Sequence, residues 1–259
     1  MVSGQVGRWA DRNSAYDFDC RYSEDGLRYW VPKFIECGAI TAGQIVLDAG
    51  CGTGGFGAAI GTVTGAQVIG CDIAERFTRY ARDKHSPVGW WIVGDAARLP
   101  LRNNTINCVL MSLLLHRVPD PAAVIADAAR VLRPTGVLLI HTIAPEDAGA
   151  SAPYRYFPTM ATAQHQRLPA TGQLHDWSQQ AGLTDVSVIP ARRPMHIDAD
   201  VLEGRVRDEI PHRYPEMSPD ELSAGLQQLR ADQQQHGGPW HEPRTHTIVI
   251  ATPAPPRSH

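Results

Sequence analysis

The sequence of 259 residues contains little of what marks disulfide-rich, metal-binding or membrane-spanning proteins. Only five residues are cysteine and none forms a C-x-x-C pair, so we predict neither a disulfide framework nor a zinc site. No stretch approaches the ~18 continuous apolar residues of a membrane helix. The first residues also lack the apolar core of a secretory signal, and we therefore expect a reduced, cytoplasmic protein.

A strong charge of one sign is missing as well. The formal net charge is −3 and the isoelectric point is about 6.4. These values argue against nucleic acid as the main partner, because such proteins present a basic surface. Hydrophobic residues make up 43% of the chain and charged residues 20%, which is typical of a globular protein with a real core.

Short apolar segments alternate with helical ones along the chain, and this order is typical of a parallel sheet with crossover helices. We therefore predict an α/β fold with a Rossmann-like, doubly wound sheet. Its seven predicted strands cover residues 45–49, 67–71, 89–93, 107–112, 137–142, 184–190 and 245–252.

The segments outside these strands suggest a lid over the sheet. Residues 1–43 are predicted to be helical, and residues 44–193 with 244–253 form the core. Residues 194–243 form a helical insertion, because Ser218 and Pro219 make an N-cap followed by proline at the first helical position. Glu221 stands three residues after Ser218, which is the spacing of a capping box.

The densest chemical signal is the stretch IVLDAGCGTGGFG at residues 45–57. A strand that ends in Asp48 leads into clustered glycines and then a helix, whose first amides favour an anionic group. Asp72 ends the second strand and Asp95 follows the third. Open α/β sheets bind ligands at the carboxyl ends of their strands, and an acid placed there can accept both hydroxyls of a ribose. The sequence therefore predicts a nucleoside-containing ligand at this edge.

A dinucleotide is the competing interpretation of the same glycines. Residues 52–57 fit the G-x-G-x-x-G pattern, so an NAD-dependent dehydrogenase is an alternative. That reading explains neither Asp48 at the strand end nor the Gly94-Asp95-Ala96 element.

Four motifs together carry a family resemblance: VLDAGCGTG at 46–54, CDIAERF at 71–77, the run 94–120, and RVLRPTGVLLI at 130–140. With them the chain resembles the class I S-adenosylmethionine-dependent methyltransferases, and it is most similar to their small-molecule branch of ubiquinone-biosynthesis-like enzymes. The resemblance implies methyl transfer to oxygen, nitrogen or carbon of a small molecule, with secondary metabolism as the expected setting. A catalytically silent homologue that keeps the cofactor is the alternative, because methyl transfer needs no invariant catalytic side chain.

The resemblance also implies which residues hold S-adenosylmethionine. Asp72 would hold the ribose hydroxyls and Ile73 would pack on the adenine face. Asp95 would accept from the adenine amino group, while the Ala96 amide meets a ring nitrogen. Residues implied to border the methionine part are Asp48, Ala49, Gly50, Gly52, Gly54 and Ser112.

Catalytic and substrate-binding residues are less well defined by the sequence. His116 and His175 are the candidates for a general base, and His141 is a weaker one; each of them also fits a purely structural role. Arg117 stands where related enzymes often carry a second histidine, and it suits either an anionic substrate or a surface ion pair.

Aromatic residues in the lid segments are expected to line an apolar substrate pocket, and we single out Tyr22, Trp30 and Tyr156. The arginines of the insertion suit either an anionic substrate group or an exposed helix face. His236, His241 and His246 are separated by glycine and proline, so they share no helix face and no metal site is predicted.

Overall fold

The computed structural model describes residues 24–148, 152–197, 204, 207, 214–236 and 240–254. A seven-stranded sheet forms its centre, with the order β3-β2-β1-β4-β5-β7-β6. The strands are β1 Ile45–Ala49, β2 Gln67–Asp72, β3 Gly89–Val93, β4 Ile106–Ser112, β5 Leu132–Thr142, β6 Leu183–Ile197 and β7 Trp240–Pro253. The predicted Rossmann-like fold with seven strands is thus confirmed.

Helices connect these strands within the described part of the chain. They are α1 Glu24–Cys37, α2 Gly55–Thr64, α3 Glu75–His85, α4 Pro121–Val131, α5 Pro145–Ala148, α6 Ala152–Tyr156, α7 Pro158–Arg167, α8 Thr171–Gln180 and α9 Pro219–His236. A short 3₁₀ turn covers Leu115–Arg117. Over the residues described, no helix is long and apolar enough to cross a membrane.

Parallel pairing of the first five strands brings their carboxyl ends to one edge. Ala49 at the end of β1 is paired with Cys71 on β2 and with Met111 on β4. At the flanks, Asp72 is paired with Val93 on β3, and Ser112 with His141 on β5. Side chains that follow these strands therefore start from a common rim of the sheet.

The two central strands are buried on both faces, which explains their continuous apolar runs. Val46 and Leu47 on β1 are completely inaccessible, as are Val109 and Leu110 on β4. Helix α4 covers one face of this core with four buried residues at helical spacing. They are Val124, Ile125, Ala128 and Val131.

Helix α4 also shows why its boundaries fall where they do. The Asp120 carboxylate accepts a hydrogen bond of 3.0 Å from the Ala123 amide, and Pro121 occupies the first helical position. The fifth strand was predicted over residues 137–142, but β5 begins at Leu132, directly after the helix, and includes the RPTG sequence at 133–136. The register between β4 and β5 shifts opposite Ile106–Cys108. The shift leaves residues 133–136 as extra residues on β5 that have no regular partners on β4.

The chain divides into two compact units. The first contains the described residues up to 142 together with 172–189 and 248–254. The second contains the described residues within 143–171 and 190–247. Our predicted boundaries placed residues 143–171 with the core and only 194–243 in an insertion, so the structure groups the chain differently.

Long-range polar contacts inside the second unit give the reason for this grouping. Helix α9 from the insertion bonds to the segment that follows β5. The Tyr156 hydroxyl donates to Asp232 at 2.9 Å, and Glu221 accepts from both the amide and the hydroxyl of Thr159 at 2.9 and 2.6 Å. These contacts join residues more than 60 positions apart, which no local pattern reveals.

Candidate functional site

The turn between β1 and α2 owes its shape to glycine. Gly50, Gly52 and Gly54 have φ angles of +70°, +53° and +81°, in the left-handed region that other residues rarely adopt. Gly54 is also crowded, because a Cβ there would lie 2.6 Å from Cζ3 of Trp91. The turn delivers the chain to the N-terminus of α2, which begins at Gly55.

Asp72 ties the end of β2 to this turn. Its Oδ2 accepts from the Gly52 amide at 2.9 Å, and its Oδ1 accepts from the Ala74 amide at 2.9 Å. The side chain is half-buried, and a carboxylate has about four acceptor positions. The carboxylate is therefore already oriented at the rim.

Asp48 performs a different task in the structure. It is only 2% exposed, and its Oδ2 accepts from the Gly57 amide at 3.1 Å. This bond fastens the first turn of α2 onto β1 and leaves Asp48 behind the glycine turn. Its predicted contact with the methionine part of a cofactor stays a prediction.

Asp95 lies in the loop that follows β3. It is exposed, and its Oδ1 accepts from the Ala97 amide at 2.9 Å, while the neighbouring Ala96 is buried. This short-range bond shapes the loop and leaves the second carboxylate oxygen available on the exposed side. The loop therefore presents one acceptor and one backbone amide at adjacent positions.

A clamp from helix α4 holds the same loop, and sequence reasoning missed it. Arg130 donates to the carbonyls of Leu99 and Leu101 at 3.0 and 2.8 Å, and Asp127 accepts from the Leu99 amide at 2.6 Å. Burial on its own raises the pKa of the Asp127 carboxyl, but the hydrogen bonds from Arg130 and Leu99 outweigh it and lower this pKa. The RVLRP motif was the available signal, although it does not show what Arg130 binds.

Two buried cysteines lie near the acids of the rim. Burial, together with the charges of Asp72 and Asp95, raises the pKa of the Cys71 thiol to about 12. Burial also raises the pKa of the Cys51 thiol far above its usual range, with contributions from Asp48 and Asp72. Each thiol thus feels two of the acids, and both thiols stay neutral.

An apolar surface lies beside these acids. Ile73 is 49% exposed and Val93 is 48% exposed, at the ends of two paired strands. Large apolar side chains this exposed, next to carboxylates on a rigid rim, suit the flat face of a heterocycle. The predicted position of Ile73 against adenine agrees with this exposure.

Ser112 lies at the other side of the rim and is 4% exposed. Its Oγ is 2.9 Å from Nδ1 of His141, a buried pair that the sequence did not predict. Trp30 covers the imidazole, with the ring centroids 4.1 Å apart. Trp30 is only 2% exposed, so the structure places this predicted substrate residue in an aromatic cluster.

His116 lies in the 3₁₀ turn after β4, beside Arg117. The Nε of Arg117 donates to Nε2 of His116 at 3.3 Å, and both residues are half-buried. In this contact Nε2 is the acceptor, so its lone pair is directed at the Arg117 guanidinium. The contact seen for Arg117 is thus with a histidine, and the catalytic role of His116 remains a prediction.

The remaining predicted site residues are His175, Tyr156 and Tyr22. His175 is on α8, and its ring nitrogens are 3.5 Å from Asp176 and 3.4 Å from Gln179 of the same helix. Tyr156 belongs to the second unit, where it bonds Asp232. Tyr22 lies outside the described residues. Among the residues described, no cluster of histidine, cysteine and acid side chains could hold a metal ion.

The strand order, the glycine turn and the acids at the strand ends agree with the resemblance to class I methyltransferases. Residues 47–140 match the family described as "Methyltransferase domain". Over these residues the chain is therefore similar to methyltransferases of the S-adenosylmethionine-dependent class.

One similar relative is the ubiquinone/menaquinone biosynthesis C-methyltransferase UbiE of Haemophilus ducreyi. It is 34% identical over 120 residues, which is 44% of this chain and 46% of that protein. The chain spans less than half of the length of the curated relatives that it matches.

Solved structures show the same fold. An Anabaena variabilis protein, named as a candidate methyltransferase from an antibiotic biosynthesis pathway, has a TM-score of 0.71 and 20% identity, over 86% of this chain and 96% of that one. A Haemonchus contortus phosphoethanolamine N-methyltransferase 2, in complex with S-adenosylhomocysteine, has a TM-score of 0.54 and 17% identity, over 92% of this chain and 59% of that one.

Proposed function

We propose that this protein transfers a methyl group from S-adenosylmethionine to a small-molecule acceptor. The observation that carries the proposal is the convergence of Asp72, the glycine turn and Ile73 at one rim of the sheet. Asp72 is held by the Gly52 amide at 2.9 Å, while Ile73 beside it is left 49% exposed. An acid for a ribose and an apolar face for a base, next to a helix N-terminus, suit an adenosyl group.

The residues at the rim fit the parts of this cofactor. Asp72 would hold the ribose hydroxyls, with Ile73 against the adenine face. Asp95 and the Ala96 amide would bind the edge of the adenine. Backbone groups of Ser112 and of the turn from Gly50 would bind the methionine carboxylate and amino groups. When bound, the cofactor supplies an electrophilic methyl group on a sulfonium.

The chain's own task is mainly to align the acceptor and to exclude water. If the acceptor is a hydroxyl, a neutral imidazole can take its proton. For His116 to do so, the hydroxyl would have to replace Arg117 as the donor to Nε2. An amine acceptor needs no strong base. The acceptor atom is therefore to be identified by measuring methyl transfer to a panel of substrates with hydroxyl, amine and carbon nucleophiles.

A small acceptor in secondary metabolism is supported by the names of similar proteins. UbiE is named for quinone biosynthesis, and the Anabaena protein for an antibiotic pathway. The net charge of −3 also offers little attraction to nucleic acid. We extend the proposal to an enzyme of the cytoplasm that acts on a metabolite.

The sheet order argues against the dehydrogenase alternative. Dinucleotide-binding domains have the order 3-2-1-4-5-6, whereas here β7 lies between β5 and β6. A cofactor that stabilises only the folded chain adds about 2.7 kcal/mol at 100 times its dissociation constant. We expect S-adenosylhomocysteine to raise the Tm and NAD to leave it unchanged.

Turnover then separates an enzyme from a silent homologue. The protein is incubated with methyl-labelled S-adenosylmethionine and the acceptor panel, and labelled products are identified by mass spectrometry. Transfer to any small molecule supports the proposal. Tight binding of S-adenosylhomocysteine with no transfer to any acceptor supports the silent homologue, and stabilisation by NAD alone overturns both.

A further inference from the structure

We propose that His141 is a positioning residue, which fixes the corner after β4 against the methionine end of the bound cofactor. The corner comprises Ser112, Leu113 and Leu114. The inference rests on the proposed function, because it assigns a task within the same site. It concerns a residue of β5, a strand to which the resemblance assigns no cofactor contact.

The first observation is the buried hydrogen bond between Ser112 and His141. The two residues are register partners on β4 and β5, and they are 4% and 1% exposed. Their side chains meet at 2.9 Å between Oγ and Nδ1. Buried polar groups are usually paired, and a bond to a fixed ring sets the direction of a hydroxyl that would otherwise rotate.

The second observation is the backbone of Leu113. Its φ is +52°, a left-handed conformation that is uncommon for a bulky residue without a polar side chain. The Leu113 amide donates to the backbone carbonyl of His141 at 2.8 Å. His141 thus bonds the corner at two points, Ser112 by its side chain and Leu113 by its main chain. The left-handed conformation of Leu113 persists only where the surrounding structure enforces it.

The third observation is that the imidazole itself is immobilised. The ring of Trp30 lies 4.1 Å from it and the ring of Phe34 lies 5.3 Å from it, measured between centroids. Both aromatic residues come from α1 and are at most 2% exposed. A ring packed in this way holds its neighbours in place, whereas a general base must reach the acceptor.

The corner in turn touches the glycine turn. A Cβ on Gly50 would lie 2.6 Å from Cδ1 of Leu114, so the leucine side chain rests directly on the backbone of the turn. His141, Ser112 and Leu114 therefore form a continuous chain of contacts to Gly50. Loss of the hydrogen bond at His141 loosens the wall beside the methionine part of the cofactor.

The experiment compares three variants with the intact protein. His141→Leu keeps bulk and removes the hydrogen bond, and Ser112→Ala removes it from the other side. His141→Asn keeps a polar atom near the position of Nδ1. His165→Asn, in the second unit, is the matched control. The dissociation constant of S-adenosylhomocysteine is measured by calorimetry from pH 6 to 9, and the Tm is recorded for each variant.

We expect His141→Leu and Ser112→Ala each to weaken binding roughly 5- to 10-fold, the usual size for one buried hydrogen bond. A variant that combines His141→Leu with Ser112→Ala should bind S-adenosylhomocysteine about as tightly as either single variant, because both substitutions remove the same hydrogen bond. The affinity of His141→Asn should stay within about threefold of that of the wild type, with the same pH dependence of binding.

Several outcomes would overturn the assignment. Wild-type affinity in both His141→Leu and Ser112→Ala removes the positioning role. A His141→Asn variant that binds as weakly as His141→Leu shows that a polar partner at this position does not support binding, and it overturns the role of the hydrogen bond. If His141→Leu does not fold, Ser112→Ala and His141→Asn decide the matter. Failure of the wild type to bind S-adenosylhomocysteine refutes the proposed function itself.

Discussion

Substitution of Asp72 by alanine tests the site most directly. The carboxylate accepts two backbone amides, from Gly52 and Ala74, each at 2.9 Å. It is also the residue that we expect to hold the ribose hydroxyls. Its removal therefore loosens the glycine turn and deletes the proposed ribose contact together.

The magnitude follows from the bonds lost. A hydrogen bond to a charged group contributes about 1.5–3 kcal/mol, so loss of the ribose contact weakens cofactor binding about 10- to 100-fold. Of the two amides left without an acceptor, Gly52 is half-buried and Ala74 is buried, so water replaces only part of the loss. We expect the free energy of unfolding to fall by about 1–2 kcal/mol.

The assay is calorimetric titration with S-adenosylhomocysteine, with thermal unfolding measured on the same samples. Asp72→Asn is the conservative companion, because it keeps one acceptor oxygen and loses the charge. Asp83→Ala, on the exposed side of α3, is the matched control for removal of a carboxylate. A folded Asp72→Ala variant that binds within about twofold of the wild type would refute the ribose assignment.

Three further predictions concern the framework of the site. Gly54→Ala should lower the Tm strongly, because it combines a φ of +81° with a clash against Trp91, whereas Gly172→Ala meets no atom within 4 Å and should be close to neutral. Arg130→Ala should cost about 1–3 kcal/mol in chemical unfolding at neutral pH. Because the folded pKa of Asp127 is lowered, its contribution is present above the unfolded pKa of about 3.9 and is lost as the pH falls through the folded value, so the wild type and Arg130→Ala should converge in acid. A thiol reagent at pH 7.5 should leave three buried cysteines unmodified until the chain is denatured, because their pKa values are raised. Peptide mass spectrometry measures the modification, and labelling of these cysteines in the native protein would contradict the prediction. They are Cys51, Cys71 and Cys108.

The elements that local sequence specifies were predictable. Strands β1 to β4 are short apolar runs, and the clustered glycines after β1 fit only a turn with positive φ. The Ser218 cap is also local, since its hydroxyl accepts from the Glu221 amide at 3.0 Å. Because parallel strands end at the same edge, the convergence of Asp72 and Asp95 followed from their places after β2 and β3.

The tertiary structure alone decided which distant residues meet. The Ser112–His141 bond joins residues 29 positions apart, and it exists because β4 and β5 pair in one particular register. The hold of Arg130 on the loop after β3 depends in the same way on how α4 packs. The grouping of residues 143–171 with the insertion rests on contacts such as Tyr156 with Asp232. Periodicity and propensity act over a few residues, whereas register and burial are settled only when the whole chain has packed.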